Sequence, residues 1–198
     1  VAQKEHQQIY PQAGWVEHNT AEIWNNTQDV IELALEKKHL SASQIAAVGI
    51  TNQRETTVIW NKKTGKPYYN AIVWQDTRVG NFVTEFSKNN NNEFFRERTG
   101  LPLTTYFSSL KIKWLLENIK GLKEDAKNGT AIFGNMDTFI IWNLTGGVNG
   151  GIHVTDATNA SRKQLMNLKT LNWDDDILKL LDIPKRILPE IKSSSEVY

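Results

Sequence analysis

Ile45-Ala46-Ala47-Val48-Gly49-Ile50-Thr51-Asn52-Gln53-Arg54-Glu55-Thr56-Thr57-Val58-Ile59-Trp60 is the stretch from which the architecture of this chain is read. Its first six residues are a continuous run of small apolar side chains, the pattern of a strand buried on both faces. Upstream, Asn19 stands three residues before Glu22, a capping-box spacing that predicts a helix from about Thr20 to Lys37. Ile23, Ile31, Ala34 and Leu35 would share a broad face of that helix. Ser41 and Gln44 repeat the spacing and predict a short helical turn just before the strand. A helix that feeds a buried strand belongs to the α/β class.

Downstream, Thr56 to Trp60 and Tyr68 to Trp74 are β-branched and aromatic runs around Asn61-Lys62-Lys63-Thr64-Gly65-Lys66-Pro67, which reads as a hairpin. Helices are predicted near 78–88, 91–98, 108–119 and 135–144, with a polar break over Asn89 to Asn92 and Gly121 closing the third helix. A turn over Gly146 to Gly151 leads to a strand over Ile152 to Thr155. Asp174-Asp175-Asp176 open a helix to about Leu181, and Pro184 and Pro189 interrupt the chain beyond it. At the other end, residues 3–9 are an edge strand or a loop, and Pro11 to Trp15 form a loop. No internal repeat is visible, and no linker is long enough to separate two domains.

The chain has 198 residues, with 23 Lys+Arg against 22 Asp+Glu, a formal charge of +1, 39% hydrophobic and 23% charged residues. That is the composition of an ordinary globule with enough chain to bury a core. Balanced charge removes the main argument for bulk binding to nucleic acid or a membrane surface. The absence of cysteine excludes a disulfide framework, a Cys-ligated metal and a thiol nucleophile. No apolar run approaches the roughly 20 residues that span a bilayer, and the start at Val1 does not open a signal peptide. The default compartment is therefore the cytoplasm. A start at Val1 and an end at Tyr198 without a closing element suggest a piece of a longer chain. Asn-x-Ser/Thr matches at Asn25, Asn128, Asn143 and Asn159 are read as chance.

Several candidates for chemistry dissolve on inspection. The glycines from Gly146 to Gly151 lead into a strand rather than a helix N-terminus, so they read as a turn and not a phosphate loop. Asp174 to Asp176 suit the positive end of a helix dipole, and adjacent helical positions diverge too far to share a cation. His6, His18, His39 and His153 lack ligand spacing, and no Gly-x-Ser-x-Gly elbow is present. What remains is the polar hexamer Thr51 to Thr56 at the carboxyl end of the predicted strand, where open α/β sheets bind ligands. A guanidinium beside a carboxylate suits a neutral polyol, whose hydroxyls both give and accept hydrogen bonds. Neighbours in a strand point to opposite faces, however, so Arg54 and Glu55 can share a ligand only where the backbone bends. On periodicity alone a surface or buried ion pair is the favoured reading of Arg54 and Glu55, and Trp74, Trp114 and Tyr106 read as core one by one.

The wording of these segments resembles a known family. Gly49-Ile50-Thr51-Asn52-Gln53-Arg54-Glu55-Thr56-Thr57 and Tyr69-Asn70-Ala71-Ile72-Val73-Trp74-Gln75 are similar to the glycerol kinases, which belong to the FGGY carbohydrate kinases of the actin-like ATPase superfamily. Tyr106 to Asn118 fits that family's first signature at every defined position. Gly14 to His18, Val154 to Arg162 and Ser193 to Tyr198 extend the resemblance along the whole chain. It implies an RNase H-like α/β substrate lobe, incomplete and with additional helices, and a parent that transfers the γ-phosphoryl group of ATP to glycerol with Mg²⁺. It also implies that Arg54 and Glu55 hydrogen-bond the glycerol hydroxyls, that the Trp74 ring packs on the carbon chain, and that Tyr106 adds a polar contact.

The family's Asp-x-Gly-Thr-Thr/Ser phosphate hairpin, its Gly-Asp-Gln base segment, its ATP lobe and its second signature have no counterpart in residues 1–198. The expectation is a partial N-terminal substrate-binding domain over 1–198 with no catalytic, cofactor-binding or metal-binding residue of its own, and inactive by itself. Its expected partners are glycerol and the remainder of its own kinase chain, in a cytoplasmic, homo-oligomeric parent. Asp76 is read as structural rather than as a substitute base, and Asp156 and Asn159 receive no chemical role. A kinase of another small polyol or sugar, or a non-catalytic polyol-binding module, remains open. An RNase H-like nuclease needs convergent carboxylates for two metals, which are not visible.

Overall fold

The computed structural model describes residues 1–88 and 91–197. Strands β1 (Glu17–His18), β2 (Val58–Asn61), β3 (Ala71–Ile72) and β4 (Ala131–Gly134) are short, and they join into one antiparallel ribbon. β1 pairs with β3 in the register Glu17↔Ile72, and β2 pairs with β4 in the register Trp60↔Ile132. Bridges at Thr57↔Ile72 and Trp60↔Pro67 join the two ladders and realise the predicted hairpin. A second region carries β5 (Val154–Asp156) parallel to β8 (Glu190–Lys192), and β6 (Met166–Asn167) antiparallel to β7 (Asn172–Trp173).

Helix α1 (Thr20–Glu36) begins where the sequence places it, with Asn19 Oδ1 accepting the Ala21 and Glu22 amides at 2.9 and 3.3 Å. The reciprocal half of the box is not formed, because Glu22 Oε1 accepts the Gln7 amide instead. α2 (Gly80–Ser87), α3 (Asn91–Thr99), α4 (Ser108–Asn118) and α6 (Met136–Leu144) match the predicted helices within a few residues. Asn91 and Asn92 belong to α3, and Asn89 and Asn90, where the polar break is predicted, lie outside the described residues. α5 (Leu122–Asn128) and β4 have no counterpart among the predicted elements; Gly121, at φ 80°, precedes α5 rather than closing α4. α7 (Ala157–Ala160) and α8 (Asp175–Leu181) complete the set, and Asp174 caps α8 through the Asp176 and Ile177 amides.

The expected buried strand over Ile45 to Ile50 is not formed. Ala42–Gln44 is a 3₁₀ turn, the residues after it lie outside any strand, and Ile45 and Val48 are 40% and 70% exposed. An apolar run becomes a strand only when its N–H and C=O groups meet a neighbour, and among the described residues none pairs with it. The same edge leaves Ile31 and Ala34 of α1 exposed, so only its first half, through Ile23 and Trp24, packs inward.

Two apolar clusters hold the chain together. One gathers Ile59, Ile72, Leu110, Ile112, Leu115, Leu122, Phe133, Ile177 and Leu181 between the ribbon and helices α4, α5 and α8. The other surrounds Trp60, whose ring meets Phe139 and Trp142 at 5.3 and 5.6 Å. Fully burying one such aliphatic side chain contributes about 1.5–3 kcal/mol. No helix among the described residues is long and apolar enough to cross a membrane.

His18 on β1 is buried, with Nδ1 3.2 Å from His6 Nε2 and Nε2 2.8 Å from Gln8 Oε1. Burial, followed by the His6 charge, pushes its pKa down to about 4. The unfolded ring takes up its proton near 6.5. Below that pH the unfolded state binds more protons than the folded one, so stability is lost as pH falls from 6.5 toward 4. The thermal midpoint is expected to drop through this window, and His18→Gln to remove part of the drop. An unchanged pH slope in the variant would assign the effect elsewhere.

Candidate functional site

The polar hexamer is not a strand. Arg54 and Glu55 form a turn, and Glu55 adopts φ 63°, a left-handed conformation that costs a non-glycine residue about 1–2 kcal/mol. Buried hydroxyls and amides hold it there. Thr57 Oγ1 and Ser108 Oγ donate to the Glu55 carbonyl at 3.0 and 3.2 Å. Asn135 Nδ2 donates to the Thr56 carbonyl at 2.8 Å and to Ser108 Oγ at 3.1 Å. Upstream, Asn52 Oδ1 accepts the Asp137 amide in the first turn of α6, and its Nδ2 donates to Asn159 of α7.

This bend breaks the strand alternation that set Arg54 and Glu55 on opposite faces. Glu55 is 3% exposed, whereas Arg54 stays on the surface and makes no hydrogen bond or ion pair with the described residues. The Glu55 carboxylate does not pair with its neighbour. Its Oε1 accepts from Arg162 Nε at 2.7 Å, a short charge-assisted bond. The Arg162 guanidinium also lies 5.1 Å from the Phe107 ring and 5.8 Å from the Tyr106 ring.

Trp74 follows β3 closely, and its amide donates to Thr56 Oγ1 at 3.3 Å, which sets it beside the turn. Its ring meets that of Tyr106 at 5.4 Å with a 55° tilt. Both aromatic residues are half-buried, so each offers surface to solvent as well as to the interior. Glu55, Arg162, Tyr106 and Trp74 are thus contiguous, and Arg54 lies at the rim of the same turn. Sequence reading missed Arg162. It stands 107 residues from Glu55, and no local pattern marks the pairing. Two surface concavities lie elsewhere, about 250 Å³ beside His6 and about 330 Å³ beside Lys127 and Asp182.

A buried ion network supports the ribbon behind this cluster. Arg78 Nε and Nη2 donate to Asp76 at 2.9 and 2.8 Å, and Nη2 donates to Glu17 at 2.8 Å. Glu17 also accepts from Tyr69 and Asn70, and Asp76 accepts the Val16 amide. The side chains of the three charged residues are 0–2% exposed. Trp15 and Trp114 lie 3.8 and 4.7 Å from the guanidinium carbon. With its oxygens bonded to Arg78 and to the Val16 amide, Asp76 has the structural surroundings expected of it.

Between α6 and β5, Asp137 Oδ2 accepts from Thr155 Oγ1 at 2.6 Å, and Thr155 in turn accepts from Lys163 Nζ at 3.1 Å. Burial holds the fully enclosed Lys163 ammonium below its ordinary pKa. Burial also pushes Asp156 upward, but hydrogen bonds from Ser194, Thr158 and Asn159 outweigh it and hold the carboxyl below its usual range. The glycine stretch packs on itself and on α6; a Cβ on Gly151 would sit 2.4 Å from the Trp142 carbonyl. Asp175 and Asp176 point outward to Lys185 and Arg98. Among the described residues no group of three His, Asp or Glu side chains could hold a metal ion.

All 198 residues match the model of the FGGY family of carbohydrate kinases, N-terminal domain. Glycerol kinase of Brucella anthropi is 62% identical over 196 residues, which cover 99% of this chain and 39% of that protein. Glycerol kinase of Azorhizobium caulinodans is 60% identical over 198 residues, covering 40% of its length. The chain therefore spans about two fifths of the curated relatives it matches. Among solved structures, the crystal structure of Plasmodium falciparum glycerol kinase with ADP has a TM-score of 0.88 at 44% identity, covering 96% of this chain and 37% of that one. A xylulose kinase structure from Brucella ovis, at 18% identity and TM-score 0.86, covers 100% of this chain and 38% of its own, and shares the fold.

Proposed function

The chain belongs to the FGGY family of carbohydrate kinases, and from that premise we propose that the protein carrying it phosphorylates glycerol to sn-glycerol 3-phosphate with ATP. The reading treats residues 1–198 as part of an N-terminal substrate lobe whose fold is the mixed α/β, RNase H-like fold of this family. The observation that carries the site assignment is the inward turn at Glu55 beside the Trp74–Tyr106 pair.

Arg162 engages Oε1 of Glu55, which leaves Oε2 to accept a hydrogen bond from a glycerol hydroxyl. The Arg54 guanidinium, unpaired among the described residues, donates to hydroxyl oxygens from the rim, the Trp74 ring covers the C–H face, and Tyr106 closes the wall. Such a site contributes alignment, which is most of what phosphoryl transfer asks of a protein. The terminal hydroxyl oxygen forms the new P–O bond as the bond to the leaving ADP breaks. The proton acceptor, the nucleotide contacts and the divalent ion's ligands are assigned to the rest of the protein. The same holds for any assembly into homo-oligomers.

The test is a substrate panel on the whole protein: glycerol, xylulose and dihydroxyacetone with ATP. Glycerol is expected to give the highest kcat/KM, and Arg54→Ala to raise its KM roughly tenfold, the loss of about one hydrogen bond to a charged group. Because Arg54 is exposed, the variant keeps its thermal midpoint. A higher kcat/KM for xylulose would favour a kinase of another polyol. Binding of glycerol without turnover would favour a non-catalytic module.

A further inference from the structure

We propose that Lys111 is a positioning residue that fixes the aromatic wall of the polyol site by binding the carbonyls of both its halves, an inference that rests on the reading of the site given above. Lys111 lies in the first turn of α4 with its side chain fully buried, yet it makes no ion pair with the described residues. Its Nζ donates instead to the Tyr106 carbonyl at 2.6 Å and the Thr105 carbonyl at 3.0 Å, and reaches the Trp74 carbonyl at 3.5 Å. An ammonium has three N–H donors and no acceptor, so three carbonyls satisfy it completely. Two of them belong to the residues whose rings form the wall, on segments 32 positions apart in the chain. The lysine is therefore a cross-link between two loops that have no ladder between them.

The cross-link depends on charge. A neutral amine keeps two N–H donors and turns a lone pair toward the third carbonyl, which repels it. Burial pushes Lys111 down to about 7; the charges of Asp76 and Glu55 act in the opposite direction, and that of Arg78 adds to the lowering. The charged, fully bonded form prevails below that pH, and the weaker neutral form above it. The distance between Trp74 and Tyr106, and with it the fit to glycerol, is thus tied to a proton that no ligand touches.

In the whole protein, the KM for glycerol is expected to rise about tenfold between roughly pH 6 and pH 8.5, with a midpoint near 7, while the KM for ATP stays within about twofold. Lys111→Met should show the high KM at every pH. Lys111→Gln, which keeps two donors and cannot titrate, should recover part of the affinity with a flat profile. At pH 6, where the unsubstituted protein has its low KM, an equal glycerol KM in Lys111→Met overturns the proposal. So does a pH dependence that survives in both variants. If Lys111→Met fails to fold, the profiles of Lys111→Gln and of the unsubstituted protein decide the matter.

A second readout is independent of the substrate. The ¹⁹F resonance of 5-fluorotryptophan at position 74, assigned with Trp74→Phe, should shift with pH in the unsubstituted protein and stay fixed in Lys111→Gln. If glycerol is not phosphorylated, the functional reading fails, and this resonance alone decides whether Lys111 holds the wall. A resonance unmoved by pH in the unsubstituted protein would overturn the cross-link.

Discussion

Replacing Glu55 by glutamine is expected to raise the KM of the whole protein for glycerol by about two orders of magnitude while leaving its secondary structure unchanged. Glutamine matches the shape of glutamate and carries the same backbone, so the turn at φ 63° and the hydroxyls on its carbonyl survive. The charge does not survive. Arg162 keeps at most a neutral carbonyl in place of its 2.7 Å carboxylate partner, and a substrate hydroxyl meets an amide where it would have met a carboxylate. A hydrogen bond to a charged group contributes about 1.5–3 kcal/mol, which corresponds to roughly 10–150-fold in affinity, and the loss of the negative charge facing Arg162 places the result toward the upper end. Steady-state kinetics with glycerol and ATP varied separately is the measurement. An unchanged glycerol KM would remove Glu55 from the site, whatever family the chain belongs to.

The second large effect is on stability. Arg78→Met deletes a cation whose side chain is 0% exposed and leaves Asp76 and Glu17 facing each other without a counter-charge. Breaking a buried pair by removing one partner costs about 3–5 kcal/mol, and loss of the contact with Trp15 at 3.8 Å adds a fraction of that. The urea midpoint should fall accordingly, and Arg78→Lys should recover little, because a point charge cannot reproduce the two-pronged contact with Asp76. Adding Glu17→Gln to Arg78→Met should return part of the loss, since one of the stranded charges is then gone. If Arg78→Met denatures at the original midpoint, the network is a decoration and not a support.

How much a sequence discloses depends on the range of the interaction. Asn19 and Asp174 cap their helices through amides two and three residues away, and both are readable from spacing alone. The hairpin around Gly65 is readable for the same reason. Glu55 and Arg54 are located by wording, and the bend that separates them from strand geometry depends on Ser108 and Asn135, which lie more than fifty positions away. Arg162 and Lys111 both lie in segments whose wording matches the family, yet period and spacing do not disclose their partners: Arg162 stands beside Lys163 after a short helix, and Lys111 follows two serines and a leucine in the first turn of α4. Ile45 to Ile50 fails in the opposite sense. Its composition announces a strand, but composition carries no information about whether a neighbour is there to receive it.

The contact between Glu55 and Arg162 closes a loop of 107 positions. Contacts of such long span form only after the intervening chain has condensed, so the carboxylate acquires its counterion late in biogenesis. A nascent chain whose exposed part stops short of position 162 already contains Arg54, Glu55, Trp74 and Tyr106, yet leaves Glu55 without the cation that steadies it. The counterion of Glu55 is therefore made only after Arg54, Glu55, Trp74 and Tyr106 have all been synthesised.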